Sequence, residues 1–194
     1  MPDLPAKKAA LRSELRRRRR SLSGAQQQRA AESVALALAG LPEWSQARHI
    51  ALYMAADGEL DTGPLASLAR GQGKHLYLPV IADGDALAFA HWERDAPLAP
   101  NRFDIPEPGP GAARVEAAAL DLVCLPLVAW DRSGARLGMG GGYYDRALGD
   151  VGGPLLVGLA HACQETAQVP RDGHDVCLDI VATDGALLDC RGTN

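Results

Sequence analysis

The sequence predicts an α/β fold: a single three-layer domain across residues 1–194, with a mixed, mainly parallel sheet covered by helices and a basic amino-terminal helix packed on it. Three observations predict it. Short apolar runs bounded by turn residues recur along the chain, helical patterns separate several of them, and one strand runs into a glycine-rich turn that opens a helix. With 194 residues, 47% of them hydrophobic, the chain is long enough to bury a substantial core. No apolar run approaches the roughly 20 residues that cross a bilayer.

Residues 1–24 carry a net charge of +6 in a chain whose total is −4, so the remainder stands at −10 and the basic character is local. On a helix, Leu4, Leu11, Leu15 and Leu22 form one stripe. Lys8, Arg19 and Arg12 border it, at roughly 60°, 80° and 100° from Leu11. Most of the arginine run 16–20 reads as side chains snorkelling from a packed helix. The acidic remainder would repel a phosphate backbone, and no aromatic lies among the arginines to stack on bases, which argues against nucleic acid. Lys8 and Arg12, one turn apart, are better placed to reach into a neighbouring anionic site. Ser23 and Gln26 resemble a capping box that opens a second helix, stopping near Gly40 and Pro42.

Strands are expected at 49–55, 75–81, 86–92, 120–128, 155–160 and 178–183, and helices at 63–73, 112–119 and 143–150. The proline-rich segment 94–111 is expected to be an ordered surface loop anchored by Phe103 and Ile105, not a linker to a second domain. Cys124, Cys163, Cys177 and Cys190 form no CxxC pair, which suits free thiols in a reducing cytosol. The spacing of His161 with Cys163 and of His174 with Cys177 is looser than the ligand pairs zinc usually takes. The amino terminus has charges where a signal peptide needs an apolar stretch. A cytoplasmic monomer acting on small molecules, with no nucleic acid and no membrane among its partners, is expected.

In open α/β sheets ligands collect at the carboxyl ends of strands. The strand at 120–128 leads through Trp130 and the turn "DRSG" into "RLGMGGGYYDRAL", residues 136–148, where four glycines fill five positions and a helix opens at about Tyr143. Consecutive N–H groups without side chains at a helix amino terminus make an anion cradle, a site for phosphates. Arg136 adds a permanent charge with forked donors, and Asp145 is a hard oxygen ligand placed to hold Mg²⁺ against those phosphates. A side chain at Gly141 would occupy the phosphate's space and oppose a positive φ. The segment is not a P-loop, since no Gly-Lys-Ser/Thr follows, and it is not a GxGxxG fingerprint. A glycine run alone reads as a structural turn; Arg136, the aromatics and Asp145 beside it favour a ligand. A sugar-phosphate isomerase or acyl-transferase on a similar sheet would use the same cradle, without needing Lys8 and Arg12.

The stretch also closely resembles the signature of the 5-formyltetrahydrofolate cyclo-ligase, or methenyltetrahydrofolate synthetase, family, and the resemblance runs nearly the full chain. "KAALR" (Lys8 to Arg12) resembles that family's opening Lys-x-x-x-Arg, "ALYMAADGELDT" its first strand and acidic loop, and "FDIPEP" its proline loop. "VGLAHACQ" and "VPRDGHDVCLDIVAT" follow in the same order. The resemblance implies an ATP- and Mg²⁺-dependent conversion of 5-formyltetrahydrofolate to 5,10-methenyltetrahydrofolate, with ADP and phosphate released. It assigns Lys8, Arg12, Arg136, Leu137, Gly138, Met139, Gly140, Gly141, Gly142, Tyr143 and Tyr144 to ATP, and Asp145 and Asp175 to Mg²⁺. Met54, Glu59, Met139, Gly140, Gly141, Gly142 and Tyr143 would contact the folate, with Arg136 and Tyr143 as catalytic residues. "MAADGE" lacks the proline frequent after that strand, and Gly141 stands where some members carry Lys.

Plainer readings stand beside these. Glu59 lies among acids in "DGELD", ordinary for a solvated loop before a helix, although its bidentate carboxylate suits pterin N–H donors. Of Tyr143 and Tyr144, neighbours at a helix start, at most one faces a ligand while the other packs. Asp175 reads equally as a turn cap.

Overall fold

The computed structural model describes residues 3–82, 84, 86–149 and 152–192. Its helices are α1 (Leu4–Arg20), α2 (Gly24–Ala39), α3 (Pro42–Gln46), α4 (Gly63–Gly71) and α5 (Tyr143–Leu148). The first strands are β1 (His49–Ala51), β2 (His75–Ile81), β3 (Leu87–His91), β4 (Leu98–Pro100), β5 (Pro106–Pro108) and β6 (Arg114–Val115). The others are β7 (Leu122–Pro126), β8 (Ala129–Trp130), β9 (Arg136–Leu137), β10 (Leu155–Leu159), β11 (Ile180–Ala182) and β12 (Leu187–Asp189).

Helix starts follow local chemistry. The Asp3 carboxylate accepts from the Ala6 N–H at 3.0 Å, and Pro5 sits in the first turn of α1, where a missing N–H leaves no bond unmade. The expected capping box is present at α2: the Gln26 N–H donates to Ser23 Oγ at 3.3 Å, and the Ser23 N–H to Gln26 Oε1 at 2.8 Å.

The main sheet runs β12-β11-β10-β7-β1-β2-β3-β6. From β11 through β10, β7 and β1 to β2 the pairings are parallel, while β12, β3 and β6 pair antiparallel at the edges. Alternation along the strands divides the core between two faces. Ile50, Leu76, Leu122, Cys124, Val157 and Ile180 pack with Val34, Leu38, Leu65 and Ala69 of α2 and α4. Ala51, Tyr77, Val123, Leu125 and Val181 face Leu148 and Leu178 on the other side. The apolar stripe of α1 covers the β8–β9 hairpin, with Leu15 against Val128, Ala129, Ala135, Leu137 and Val169.

Several elements differ from expectation. Residues 112–119 form edge strand β6 and a short 3₁₀ turn instead of a helix, because Arg114 and Val115 pair with Ala90 and Phe89; an available sheet edge outweighs alanine's helix propensity. The proline-rich loop folds into the β4–β5 ribbon. The first strand stops at Ala51, the strand at 120–128 narrows to Leu122–Pro126, and β12 lies beyond the expected set. The helix expected over 143–150 ends at Leu148, and Asp150 lies outside the described residues. Leu4, assigned to the buried stripe, is exposed. No helix among the described residues is long and apolar enough to cross a membrane.

Gly134, in the turn before β9, has φ +81°, and a Cβ there would lie 2.5 Å from the Leu178 carbonyl oxygen. Gly134→Ala therefore combines left-handed strain with a backbone clash and should cost at least about 2 kcal/mol. Urea unfolding should show a lowered midpoint at unchanged slope.

Candidate active site at the carboxyl ends of the parallel strands

β1 leaves the sheet at Ala51 and leads to Met54 and Glu59, while β7 leaves at Pro126 and leads through the β8–β9 hairpin to Gly138. These neighbouring strands deliver the two halves of the site. In the glycine segment, Gly140 and Gly142 hold φ of +107° and +65°, which favour glycine. Gly141 departs from expectation, since its φ is not left-handed. A Cβ at Gly141 would instead lie 2.7 Å from the Tyr143 ring, so packing against that ring accounts for the glycine.

Helix α1 brings Arg12 to this segment and Lys8 to the acidic pair Asp172 and Asp175. The Arg12 Nε donates to the Gly138 carbonyl at 2.9 Å, and its guanidinium carbon would lie 3.4 Å from a Cβ on Gly140. Lys8 Nζ donates to Asp175 Oδ2 at 2.6 Å and to Asp172 Oδ2 at 3.2 Å. Burial works against the Lys8 charge, but the two aspartates outweigh it and hold its pKa above the ordinary value. Leu137 is buried beneath the segment, and Met139 is exposed.

Arg136 is buried, and its Nη2 donates to Asp145 Oδ1 at 2.7 Å, an oxygen that also accepts from the Val176 N–H at 3.1 Å. Its Nε is buried with no partner among the described residues. Tyr144 packs against the core, and burial pushes its phenol far above the ordinary range. Tyr143 meets the proline-rich loop instead. Its hydroxyl accepts from Arg102 Nη2, the Phe103 ring meets it edge-on at 6.1 Å, and the Arg146 guanidinium lies 5.1 Å from its ring centre. Arg102 and Phe103 bring the proline-rich loop to the site. Phe103 was legible only as an anchor, and Arg102 gave no signal of this contact.

Asp145 and Asp175, expected to hold Mg²⁺, are paired with Arg136 and Lys8. Among the described residues no group of three or more His, Cys, Asp or Glu side chains is arranged to hold a metal. Two hard carboxylates suit Mg²⁺, which usually keeps several waters and binds through one or two carboxylates together with phosphates.

On the other half, Met54 packs partly buried against the core. The Glu59 Oε2 accepts from the Ala56 N–H at 3.1 Å. Burial raises the Glu59 pKa above its ordinary value, and the Ala56 N–H and Arg19 oppose that rise only in part. Arg19 does not snorkel: its side chain is fully buried. It donates to the Asp57 carbonyl at 2.9 Å, to Asp57 Oδ2 at 2.8 Å and to the Leu127 carbonyl at 3.1 Å. Arg16 Nε donates to the same Asp57 Oδ2 at 2.8 Å, and Arg20 pairs with Oδ1. Much of the arginine run thus clasps one aspartate. The one sequence signal for Arg19 is its position beside the leucine stripe.

Burial alone would raise the Asp57 pKa, but hydrogen bonds from Arg16, Arg20 and Arg19 bring it down from 3.8 to about 2. A depressed carboxyl pKa adds stability that is present above the unfolded value and is lost as pH falls through the folded one. Asp57→Asn should therefore flatten the loss of stability between about pH 4 and pH 2, removing about 2 kcal/mol of pH-dependent stability. Chemical unfolding across that range checks it.

Comparison with known proteins gives the family. The sequence profile described as the 5-formyltetrahydrofolate cyclo-ligase family matches residues 5–184. The 5-formyltetrahydrofolate cyclo-ligase of Haemophilus influenzae is 39% identical over 177 residues, covering 89% of this chain and 95% of that protein. Its Escherichia coli K12 counterpart is 38% identical over 174 residues, covering 87% and 96%. The solved structure of Aquifex aeolicus 5,10-methenyltetrahydrofolate synthetase superposes with a TM-score of 0.84 at 35% identity, over 95% of this chain and 93% of that one. A Mycoplasma pneumoniae 5,10-methenyltetrahydrofolate synthetase shares the fold, with a TM-score of 0.74 at 23% identity. With its glycine segment, basic helix and acidic loop arranged around the carboxyl ends of two parallel strands, this chain belongs to the 5-formyltetrahydrofolate cyclo-ligase family.

Proposed function

We propose that this chain closes 5-formyltetrahydrofolate to 5,10-methenyltetrahydrofolate with ATP as phosphoryl donor, releasing ADP and phosphate. The observation that carries the reading is the convergence of Arg12 and Arg136 on one glycine segment, with the buried Arg136 Nε unpartnered among the described residues, while Lys8 pairs with Asp175. An unpartnered guanidinium N–H beside backbone N–H groups suits a phosphoryl oxygen.

A formamide oxygen is a poor leaving group as hydroxide, so ring closure needs it converted to something better. The formyl oxygen attacks the γ-phosphorus and ADP departs, leaving an imidate phosphate at N5. N10 then attacks the imidate carbon and gives up its proton to solvent, and the carbon–oxygen bond breaks as phosphate leaves with the former formyl oxygen. The methenyl carbon then bridges N5 and N10.

The protein's share is positioning and charge stabilisation. In this reading Arg136 and the amides of Gly138, Met139, Gly140, Gly141 and Gly142 face the transferred group, while Lys8 and Arg12 take the remaining phosphates. Asp145 and Asp175 would hold Mg²⁺, which offsets phosphate charge when bound. Tyr143, braced by Arg102 and Phe103, walls the reacting centre beside Met139. Glu59 accepts from pterin N–H donors, with Met54 behind it.

The assay is direct: protein, 5-formyltetrahydrofolate, ATP and Mg²⁺ should yield the near-ultraviolet absorption of the methenyl product, with ADP formed one for one. No product from a folded preparation with both substrates in excess would overturn the reading. Arg136→Ala should lower kcat and kcat/KM together, by roughly 10²–10³-fold, because the guanidinium acts on charge that develops during transfer. Gly141→Val should abolish turnover while far-ultraviolet circular dichroism stays near wild type, since its side chain meets Tyr143 at the site and not the core.

A further inference from the structure

We infer that Arg19 and Asp57 are positioning residues for the Glu59 carboxylate: the arginine clasp of α1 sets the turn from which Glu59 meets the folate. This rests on the reading that Glu59 contacts the folate. The turn is tight. Asp57 and Gly58 hold φ of +54° and +76°, and the Glu59 N–H donates to the Ala56 carbonyl at 2.9 Å. The turn lies against α1, where a Cβ on Gly58 would come within 3.6 Å of the Arg19 carbonyl oxygen. A non-glycine residue held left-handed persists when its surroundings over-determine it, and the arginine bonds to Asp57 do so here.

The two Glu59 oxygens are treated differently. Oε2 is tied to the Ala56 N–H at 3.1 Å. Oε1 lies 3.8 Å from Arg19 Nη2, beyond hydrogen-bond range, so its lone pairs stay available to a ligand while the guanidinium supplies the opposing charge. The same Nη2 lies 4.0 Å from Met139 Sδ, and Nη1 is anchored on the Leu127 carbonyl, so Arg19 joins the acidic turn to the glycine segment.

The groups that act on Glu59 are few. Arg19 and Arg16 from α1 favour its charged form, and Asp57 in its own turn opposes it. The buried phenols of Tyr53 and Tyr144 are held neutral, and burial lowers the pKa of His161, which lies beside Gly58 and Arg19. Loss of Arg19 therefore shifts Glu59 towards its protonated form, which is a poorer partner for pterin N–H donors.

The test is the pH profile of kcat/KM for 5-formyltetrahydrofolate in wild type, Glu59→Gln, Arg19→Met, Arg19→Lys and Asp57→Asn, each with its fold checked by circular dichroism. Glu59→Gln should remove the acid limb; a limb that persists would overturn the Glu59 reading itself. Arg19→Met should move the limb to higher pH and raise the folate KM roughly tenfold at pH 7, with kcat within roughly twofold of wild type. Arg19→Lys should return the limb towards wild type, because the charge is kept. Asp57→Asn should raise the folate KM without moving the limb upward. If Glu59→Gln removes the limb while folded Arg19→Met and Asp57→Asn keep wild-type KM and limb, the positioning role is overturned. If Arg19→Met does not fold, an unchanged folate KM in Asp57→Asn overturns it alone.

Discussion

A guanidinium taken fully out of water must find both an opposing charge and acceptors for its N–H groups, or the protein will not hold it there. Arg19 meets that requirement with the Asp57 carboxylate and two backbone carbonyls, one on the acidic turn and one just past β7. Those bonds leave little choice in how α1 lies across the molecule. Eleven residues at about 1.5 Å each put Lys8 roughly 16 Å back along the helix, where it meets Asp172 and Asp175, with Leu15 seated on the β8–β9 hairpin between them. One helix thus serves both halves of the site, with Arg19 on the acidic turn, Arg12 on the glycine segment and Leu15 seated between them.

The glycine segment carries the second constraint. Bare backbone is costly to order, and here close approach explains it: Arg12 lies over Gly140, Tyr143 over Gly141, and Arg146 over Gly142. The charges are arranged for exchange. In the proposed reaction the two carboxylates assigned to Mg²⁺ are those that hold Arg136 and Lys8 in this structure. Binding phosphate and metal together would swap partners without leaving a buried charge bare, which limits the desolvation cost. Neither ligand alone has that advantage.

The parallel strands, the capping box at Ser23 and the helix start at Tyr143 were legible because each is written in a short stretch with its own periodicity or turn chemistry. Residues 112–119 misled because alanine-rich sequence reads as helix unless a sheet edge competes for it. The positive φ expected at Gly141 falls at its neighbours instead, since which glycine of a run turns left-handed depends on what packs over each. The clasp on Asp57 escaped notice for a different reason. Arg19 and Asp57 are 38 residues apart, and no local pattern distinguishes a buried arginine from a snorkelling one. Arg102 reached Tyr143 across 41 residues in the same silent way.

In the proposed reaction the glycine segment, completed by α1, receives the nucleotide's phosphates. Amide nitrogen–proton NMR of the protein titrated with a non-hydrolysable ATP analogue and Mg²⁺ tests it most directly. The backbone signals of Gly138, Gly140, Gly141 and Gly142 and the guanidinium Nε–H signals of Arg12 and Arg136 should shift most, and saturate together. Saturating shifts centred elsewhere, with these signals unmoved, would contradict it.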